Sequence, residues 1–191
     1  FSIDAANIKS WSGELPGTGT PYGYNACGSP TRGAPNAYTQ IERIDYTNDT
    51  ATALLKGNVI APRQTASSST ANLTHGYVAG GQHPHTSEID RTDFANDTAT
   101  AVAKGPLSSN RSNTSGNAGN QDYGYTAGGY GPVSIIDRTD YANDTATAVA
   151  KGPLDNQRYA FDRTAGNFIA NAANDEAIAI EKEKNRMADG Q

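Results

Sequence analysis

The sequence contains few of the residues that staple small secreted proteins or fill large hydrophobic cores. Among its 191 residues are one cysteine, Cys27, one tryptophan, Trp11, and one methionine. A single cysteine excludes an intrachain disulfide framework. No apolar run approaches the roughly 18 residues that span a bilayer, so we expect no membrane insertion. Hydrophobic residues make up 36% of the chain and mean hydropathy is −0.65, which predicts a thin core between closely packed sheets.

Positive charge is also scarce. The net charge is −5, the isoelectric point is about 5.1, and no run of basic residues occurs. Because nucleic-acid binding depends on clustered lysine and arginine, we expect no nucleic-acid partner. The sequence contains no nucleophile elbow, phosphate-binding loop or dinucleotide fingerprint. We therefore predict a protein that is not an enzyme and uses no cofactor.

Repetition is the main feature that the sequence does have. The stretch "IDRTDFANDTATAVAKGPL" (89–107) returns as "IDRTDYANDTATAVAKGPL" (136–154) with one difference, and a more divergent copy occupies Ile41–Gly57. Such strict register indicates a folded repeat rather than a disordered segment. The Asn-Asp-Thr triplets of the three copies begin 48 and then 47 residues apart, at Asn48, Asn96 and Asn143.

Each copy predicts several short β-strands. A Gly-Tyr-x-Ala segment precedes the copies, and in two of them it ends in a glycine doublet, Gly80-Gly81 or Gly128-Gly129. Ile136–Tyr141 predicts a second strand, Asn143-Asp144 a turn, and the alternating Thr145–Ala150 a third strand. The polar stretch after the next arginine gives a fourth. Four short antiparallel strands in about 47 residues are typical of a propeller blade.

This unit resembles a kelch repeat, in which a strand ends in Gly-Gly and a second strand carries an arginine followed by an acidic residue. A polar turn, Pro-Leu and another arginine follow. The resemblance covers roughly residues 22 to 160 and implies that the matching residues form a repeated scaffold. These residues are Gly80, Gly81, Gly128, Gly129, Arg43, Arg91, Arg138, Asp45, Asp93, Asp140, Arg63, Arg111 and Arg158. We expect Arg91 with Asp93, and Arg138 with Asp140, to form polar ladders between strands or blades.

The chain departs from the kelch pattern at its large packing residues. The aromatic residue of the second strand and the tryptophan of the third are both replaced by other, mostly small, residues. We expect aromatic residues placed two positions after the first of these sites to take over packing between blades. The replaced positions are Ile44, Thr92, Thr139, Ala51, Ala99 and Ala146, and the expected substitutes are Tyr46, Phe94 and Tyr141.

The predicted fold class is all-β, with about three four-stranded antiparallel sheets in a partial propeller or blade stack and a short C-terminal helix. Three blades are too few for a closed ring, and each blade buries its face only against a neighbour. Either copies of the chain cover the outer sheets, or the chain is part of a longer protein. The predicted segments are an arm or cap (1–21), three repeats (22–69, 70–117 and 118–160), and a partial repeat with the helix (161–191).

Two groups of residues have side chains that can bind metals. The histidine group lacks a carboxylate or cysteine at ligand spacing, and the acidic group lacks the spacing of an EF-hand. We therefore predict variable-loop histidines and structural aspartates rather than a metal site. The groups are His75, His83 and His85, and Asp90, Asp93 and Asp97.

The nearly verbatim repeats also resemble tandem repeats in structural proteins of cyanobacterial tailed phages. This resemblance implies a virion protein of a tail, fibre or capsid appendage that assembles with its own copies and with other virion proteins. Host contact would then use the rim loops Gln82–Ser87 and Tyr130–Ser134. The alternatives are a host-surface glycan- or receptor-binding module and a subunit of an extracellular filament. Candidate recognition residues are Tyr130, Tyr159 and Trp11.

Overall fold

The structure is a computed structural model in which the described residues form twelve β-strands in three sheets. Several predicted features lie outside these residues: the arm at 1–21, the C-terminal helix from Glu176 to about Ala188, Arg158 and Tyr159. The described residues are 22–30, 37–63, 68–82, 85–112, 114, 116–131, 133–157 and 168–169.

Sheet 1 consists of β1 (Tyr22–Ala26), β2 (Gln40–Asp45) and β3 (Leu54–Asn58), in that spatial order. Both pairings are antiparallel, and Tyr24 lies opposite Arg43. Because directly opposite side chains project to the same side of a sheet, Tyr24 and Arg43 share one face.

Sheet 2 is a four-stranded meander of β4 (Ser68–Ala71), β5 (His75–Ala79), β6 (Ile89–Asp93) and β7 (Val102–Lys104). Tyr77 lies opposite Arg91, which is the same pairing as that of Tyr24 and Arg43 in sheet 1. The repeat in sequence is therefore a repeat in strand register. The first strand, β4, spans the boundary at 69 and 70 that the sequence analysis gave to the first two repeats.

Sheet 3 contains the third copy of this arrangement. It comprises β8 (Gly116–Gly119), β9 (Tyr123–Ala127), β10 (Ile136–Asp140) and β11 (Val149–Ala150), with Tyr125 opposite Arg138. A fifth strand, β12 (Phe168–Ile169), pairs in parallel with β8 at the edge. This described piece of the predicted partial repeat thus extends sheet 3.

The third strand of each repeat begins later than its alternating pattern predicts. We expected a strand over 145–150, but β11 contains only Val149–Ala150. Before it, Ala146 N donates to Asn143 O at 3.1 Å in a turn, and Ala148 N donates to Pro106 O of the neighbouring repeat at 2.8 Å. The pattern misled because these backbone groups bond within a turn and across to the adjacent sheet.

The glycine doublets end strands β5 and β9, as predicted. Gly80 and Gly81 have φ angles of 68° and 138°, and Gly128 and Gly129 have 68° and 148°. Side chains are strained in this left-handed region, so glycine is suited to these positions. At the corresponding place in sheet 1, Cys27 has a φ of 67°.

The buried apolar residues lie between the sheets. One cluster joins sheets 1 and 2, and the other joins sheets 2 and 3. Eleven hydrophobic residues are buried in the described part of the chain, four of them alanine, against twelve buried polar or charged residues. Polar contacts must therefore contribute much of the cohesion between sheets. The first cluster contains Ile41, Val59 and Val78, and the second contains Tyr77, Ala79, Ile89, Leu107, Tyr141 and Ala148.

The predicted all-β class is confirmed. The described strands form three stacked, mainly antiparallel sheets rather than a closed propeller. Helical structure within the described ranges is limited to two 3₁₀ turns, Phe94–Asn96 and Tyr141–Asn143. None of the helices described has the length and hydropathy required to cross a bilayer.

Candidate functional site

An aspartate of sheet 3 binds four groups of sheet 2. Asp144 Oδ2 accepts hydrogen bonds from Arg91 Nη1 at 2.8 Å and from the Tyr77 hydroxyl at 3.1 Å. Its Oδ1 lies 3.0 Å from Lys104 Nζ, and its backbone oxygen accepts from Gly105 N at 2.8 Å. The side chain is only 7% exposed. A single acceptor residue therefore anchors one sheet to the next.

The same site occurs between sheets 1 and 2. Asp97 Oδ2 accepts from Arg43 Nη1 at 2.8 Å and from the Tyr24 hydroxyl at 3.0 Å. Lys56 Nζ lies 3.3 Å from Oδ1, and Gly57 N donates to the backbone oxygen at 2.7 Å. We call the Tyr, Arg, Lys and Gly side of each sheet its donor face, and the side that carries the aspartate its acceptor face.

Local backbone bonding places the aspartate. In sheet 3, the Asp140 carboxylate caps a 3₁₀ turn by accepting from Ala142 N at 3.0 Å. Asn143 O then accepts from Ala146 N at 3.1 Å, which closes the following turn. Between these bonds, Asp144 is directed at the neighbouring sheet. The Asn-Asp-Thr triplet thus uses its asparagine for the turn and its aspartate for the contact.

An aromatic stack accompanies each aspartate. The Tyr77 and Tyr141 rings have centroids 4.5 Å apart at an interplanar angle of 16°, and Tyr24 and Phe94 have centroids 4.8 Å apart at 13°. The expected packing role is therefore confirmed for Phe94 and Tyr141. Tyr46, the equivalent residue of sheet 1, is 63% exposed. Such stacks contribute about 0.5–1.5 kcal/mol beyond the area they bury.

A glycine permits the close approach of neighbouring sheets. A Cβ built on Gly57 would overlap the backbone oxygen of Ala99, and one built on Gly105 would overlap that of Ala146. A side chain at either glycine would push the aspartate away from its donors. Glycine is therefore the only residue that fits at positions 57 and 105 without moving the neighbouring sheet.

A second ion pair ties each sheet to the next and is almost completely buried. Arg63, which follows β3, lies 3.0 Å from Asp90 of β6 and also donates to Val78 O at 3.0 Å. Arg111, which follows β7, pairs in the same way with Asp137 of β10. Breaking such a pair leaves a buried charge without a partner, which costs about 3–5 kcal/mol.

The environment shifts the pKa values of two of the buried carboxyl groups in opposite directions. Burial alone would raise the pKa of Asp144, but the Lys104 hydrogen bond and the Arg91 charge lower it below its ordinary value. Burial raises the pKa of Asp90 above its ordinary value, although the Arg63 charge opposes this. Asp144 therefore acts as a stabilised anion, whereas desolvation dominates at Asp90.

Burial also makes the interface tyrosines weaker acids. It raises the pKa of Tyr24 to about 12, and the hydrogen bond to Asp97 adds to the shift. Burial raises the pKa of Tyr141 to about 12 as well. The pKa of Tyr77 is raised by burial and by the nearby Asp144 charge. The hydroxyl groups of Tyr24 and Tyr77 consequently remain proton donors to their aspartates well above neutral pH.

The predicted Arg-Asp ladder is wrong in its pairing. Arg43 and Arg91 reach the aspartate of the next sheet, and Arg138 lies over the Tyr123 ring at 4.3 Å. The second-strand aspartates instead serve their own turns because their carboxylates lie within reach of backbone N–H groups two residues ahead. These contacts are Asp45 with Thr47 N, Asp93 with Ala95 N, and Asp140 with Ala142 N.

The residues considered as metal ligands have separate protein partners. His75 Nδ1 lies 2.7 Å from Thr74 Oγ1, and His85 Nδ1 lies 2.8 Å from Ser112 Oγ. Among the residues described, no three His, Cys, Asp or Glu side chains are grouped closely enough to hold a metal ion. His83 lies outside the described residues, whereas Asp90, Asp93 and Asp97 bind Arg63, Ala95 N and Arg43 respectively.

One candidate recognition residue is described. The Tyr130 side chain is 53% exposed, and its ring centroid lies 5.5 Å from that of His85. This contact connects the two predicted rim loops. Tyr159 and Trp11 lie outside the described residues.

The sequence analysis did not assign the interface roles of the Lys-Gly pair or of the triplet's aspartate. The Lys-Gly dipeptide recurs within or at the end of the third strand of all three copies, at Lys56, Lys104 and Lys151. This recurrence was the available signal, but it does not reveal which residue on a neighbouring sheet is the partner. No family model and no curated protein matches the chain.

Proposed function

We propose that the protein is a non-enzymatic structural component that assembles with copies of itself. The observation that carries this proposal is that the two described interfaces between sheets are alike, whereas the outward side of sheet 1 is exposed. Tyr46 and Leu55 there are each 63% exposed, although the residue equivalent to Tyr46 in sheet 3, Tyr141, is 9% exposed. Sheet 3 buries the equivalent surface against sheet 2. We therefore expect the exposed surface of sheet 1 to be buried against a further repeat unit.

The contacts between the sheets suit a rigid structural component. Each junction combines an aromatic stack, an aspartate bound by four groups and a buried Arg-Asp pair, as between Arg111 and Asp137. Directional contacts of this kind fix the angle between sheets more strictly than apolar burial does. Sheets joined in this way are expected to keep their relative orientation during assembly.

We place this component on a virus particle, in a phage tail, fibre or capsid appendage. The resemblance of the nearly verbatim repeats to those of cyanophage structural proteins supports this location. The alternating stiff sheets and exposed loops support a spacer that carries a contact surface. A cellular extracellular filament could be built with the same contacts. The two locations are distinguished by whether the protein is found on virus particles or on cells.

Native mass measurement of the purified chain, combined with electron-microscope images, tests the proposal. We expect a closed ring or a filament with one repeating subunit contact. Antibodies against the chain should label purified virus particles and not cell-surface filaments. A monomer at all accessible concentrations would contradict self-assembly, and labelling confined to cell filaments would contradict the virion location.

A glycan-binding function is the second candidate, because Tyr130 exposes an aromatic ring beside His85 at a rim. Aromatic faces of this kind are common in recognition sites. Binding to a glycan array that disappears in Tyr130→Ala would favour this function. Tyr38→Ala provides a matched control, since Tyr38 is also an exposed tyrosine but lies outside the two rim loops.

A further inference from the structure

Both internal interfaces use one set of partners in one geometry. On the donor side are a tyrosine, an arginine, a lysine and a glycine, and on the acceptor side are an aspartate and an aromatic ring. The corresponding distances for the arginine contact are 2.8 Å in both interfaces. The two donor sets are Tyr24, Arg43, Lys56 and Gly57, and Tyr77, Arg91, Lys104 and Gly105; the two acceptor sets are Phe94 with Asp97, and Tyr141 with Asp144.

Sheet 1 presents a third acceptor face with no partner among the described residues. Asp49 stands at the position of Asp97 and Asp144, and it is exposed and forms no ion pair within the described ranges. Tyr46 stands at the position of the stacking ring and is 63% exposed. The turn already has its binding shape, because Ala51 N donates to Asn48 O at 3.1 Å as the equivalent groups do in the other repeats.

Sheet 3 presents a third donor face that also contacts no further sheet among the described residues. Its Tyr125 and Arg138 are half-buried. Tyr125 and Arg138 lie opposite each other, as Tyr77 and Arg91 do in sheet 2. Lys151 is exposed, and a Cβ built on Gly152 would have no atom of the described residues within 4 Å. Within the described part of the chain, the buried Nε of Arg138 has no hydrogen-bond partner. The close approach that glycine permits at 57 and 105 is therefore available and unused at 152.

We infer that sheet 3 of one copy docks on sheet 1 of a second copy and reproduces the internal interface. This inference rests on the proposed self-assembly and specifies its contact. Asp49 of the second copy would bind Arg138, Lys151 and the Tyr125 hydroxyl of the first copy, and its Tyr46 would stack on that Tyr125. Two cationic side chains meet a carboxylate, which makes the faces complementary in charge as well as in shape.

Such a contact joins two different surfaces and is therefore heterologous. It produces a ring if the rotation between sheets closes and an open filament if it does not. Two copies with three sheets each would supply six sheets, which falls within the roughly four to eight blades of closed propellers. The internal interfaces set this rotation, since the contact between copies repeats them.

Two variants block the two outer faces, the acceptor face of sheet 1 and the donor face of sheet 3, without altering the internal interfaces. Asp49→Lys in the second copy places a cation against Arg138 and Lys151 of the first copy and should weaken self-association roughly a thousandfold. Gly152→Ala introduces a methyl group where the carbonyl oxygen at Ala51 of the second copy would lie, and should weaken it roughly tenfold to a hundredfold. Both changes are at exposed positions, so melting temperatures of the monomers should match each other closely.

Mixing the two variants provides the decisive measurement. Sedimentation should show each variant alone as a monomer at a concentration where the wild type is assembled. In an equimolar mixture, the intact acceptor face of Gly152→Ala meets the intact donor face of Asp49→Lys. The mixture should form one-to-one pairs that grow no further.

The possible failures are distinguishable. If the wild type assembles and either variant assembles equally well, or the mixture forms no pairs, the docking contact is overturned while self-assembly stands. A monomeric wild type overturns self-assembly and the docking contact together. A monomeric wild type whose melting temperature falls in Gly152→Ala would further show that the chain covers its own donor face.

Discussion

Arg91 and Asp144 lie 53 residues apart and meet at 2.8 Å across the junction between sheets 2 and 3. The arginine stands in the middle of β6, whereas the aspartate stands in the turn after β10. Because Arg91 also lies opposite Tyr77, one carboxylate receives both donors from adjacent strands. The contact couples strand register in one sheet to turn geometry in the next.

We expect Asp144→Asn to destabilise the fold by about 2–3 kcal/mol. The amide leaves Lys104 and Arg91 without their anion, and partial exposure of Arg91 keeps the loss below that of a fully buried pair. Urea unfolding measures the change. Asp49→Asn is the matched control and should leave the stability of the monomer within about 0.5 kcal/mol, since surface substitutions usually do so. Equal losses in the two variants would contradict the interface role of Asp144.

Acid should weaken the same junction. The pKa of Asp144 is lowered in the folded protein, so its contribution to stability is complete above the ordinary aspartate pKa of about 4. This contribution is lost as the pH falls through that value toward the lower folded pKa. The stability difference between wild type and Asp144→Asn should therefore shrink between about pH 6 and about pH 3, a range that brackets the ordinary aspartate pKa. A constant difference in thermal unfolding across this range would be inconsistent with a lowered pKa.

Gly105→Ala should destabilise the chain by about 2–4 kcal/mol. Its methyl group would overlap the Ala146 oxygen and would lengthen the hydrogen bond from Gly105 N to Asp144 O. Gly152→Ala is the control in the monomer because open space surrounds that position. The unfolding midpoints of the two variants in urea should differ clearly. Identical midpoints would indicate that the sheets can separate at little cost.

The sequence predicted the strands, the residues that end them and the turns better than it predicted the contacts between sheets. Residue types determine locally that glycine doublets such as Gly80-Gly81 end strands and that Asn143-Asp144 turns the chain. The three copies carry the same aspartate, however, and only a neighbouring sheet makes Asp97 buried while Asp49 stays exposed. The alternating Thr and Ala residues likewise suggested a strand, because a single sequence does not show that their backbone groups bond to an adjacent repeat.

The buried pair of Arg111 and Asp137 provides a test through compensation. Arg111→Met should cost about 3–5 kcal/mol, because it leaves Asp137 fully buried without its cation. Adding Asp137→Leu removes the unpaired charge, so the double variant should be more stable than the single one. Urea unfolding of the wild type, both single variants and the double variant gives the coupling energy. Additive losses would show that the two side chains do not interact.

Tyrosine ionisation should report the burial of the aromatic stacks. Burial raises the pKa of Tyr24 and Tyr141 to about 12, so both should ionise at a higher pH than the ordinary tyrosine pKa of about 10. Because the folded-state pKa values are raised, their contribution to stability is complete below about pH 10 and is lost as the pH rises toward 12.

The tyrosinate absorbance of Tyr141→Phe should lose one late-ionising group and retain the early part of the titration. Tyr46→Phe is the matched control for removing a tyrosine hydroxyl at an exposed position. Stability should also fall less steeply above pH 10 in Tyr141→Phe than in the wild type, because one raised pKa is gone. If Tyr141→Phe left the late part of the titration unchanged, Tyr141 would not be buried between sheets 2 and 3.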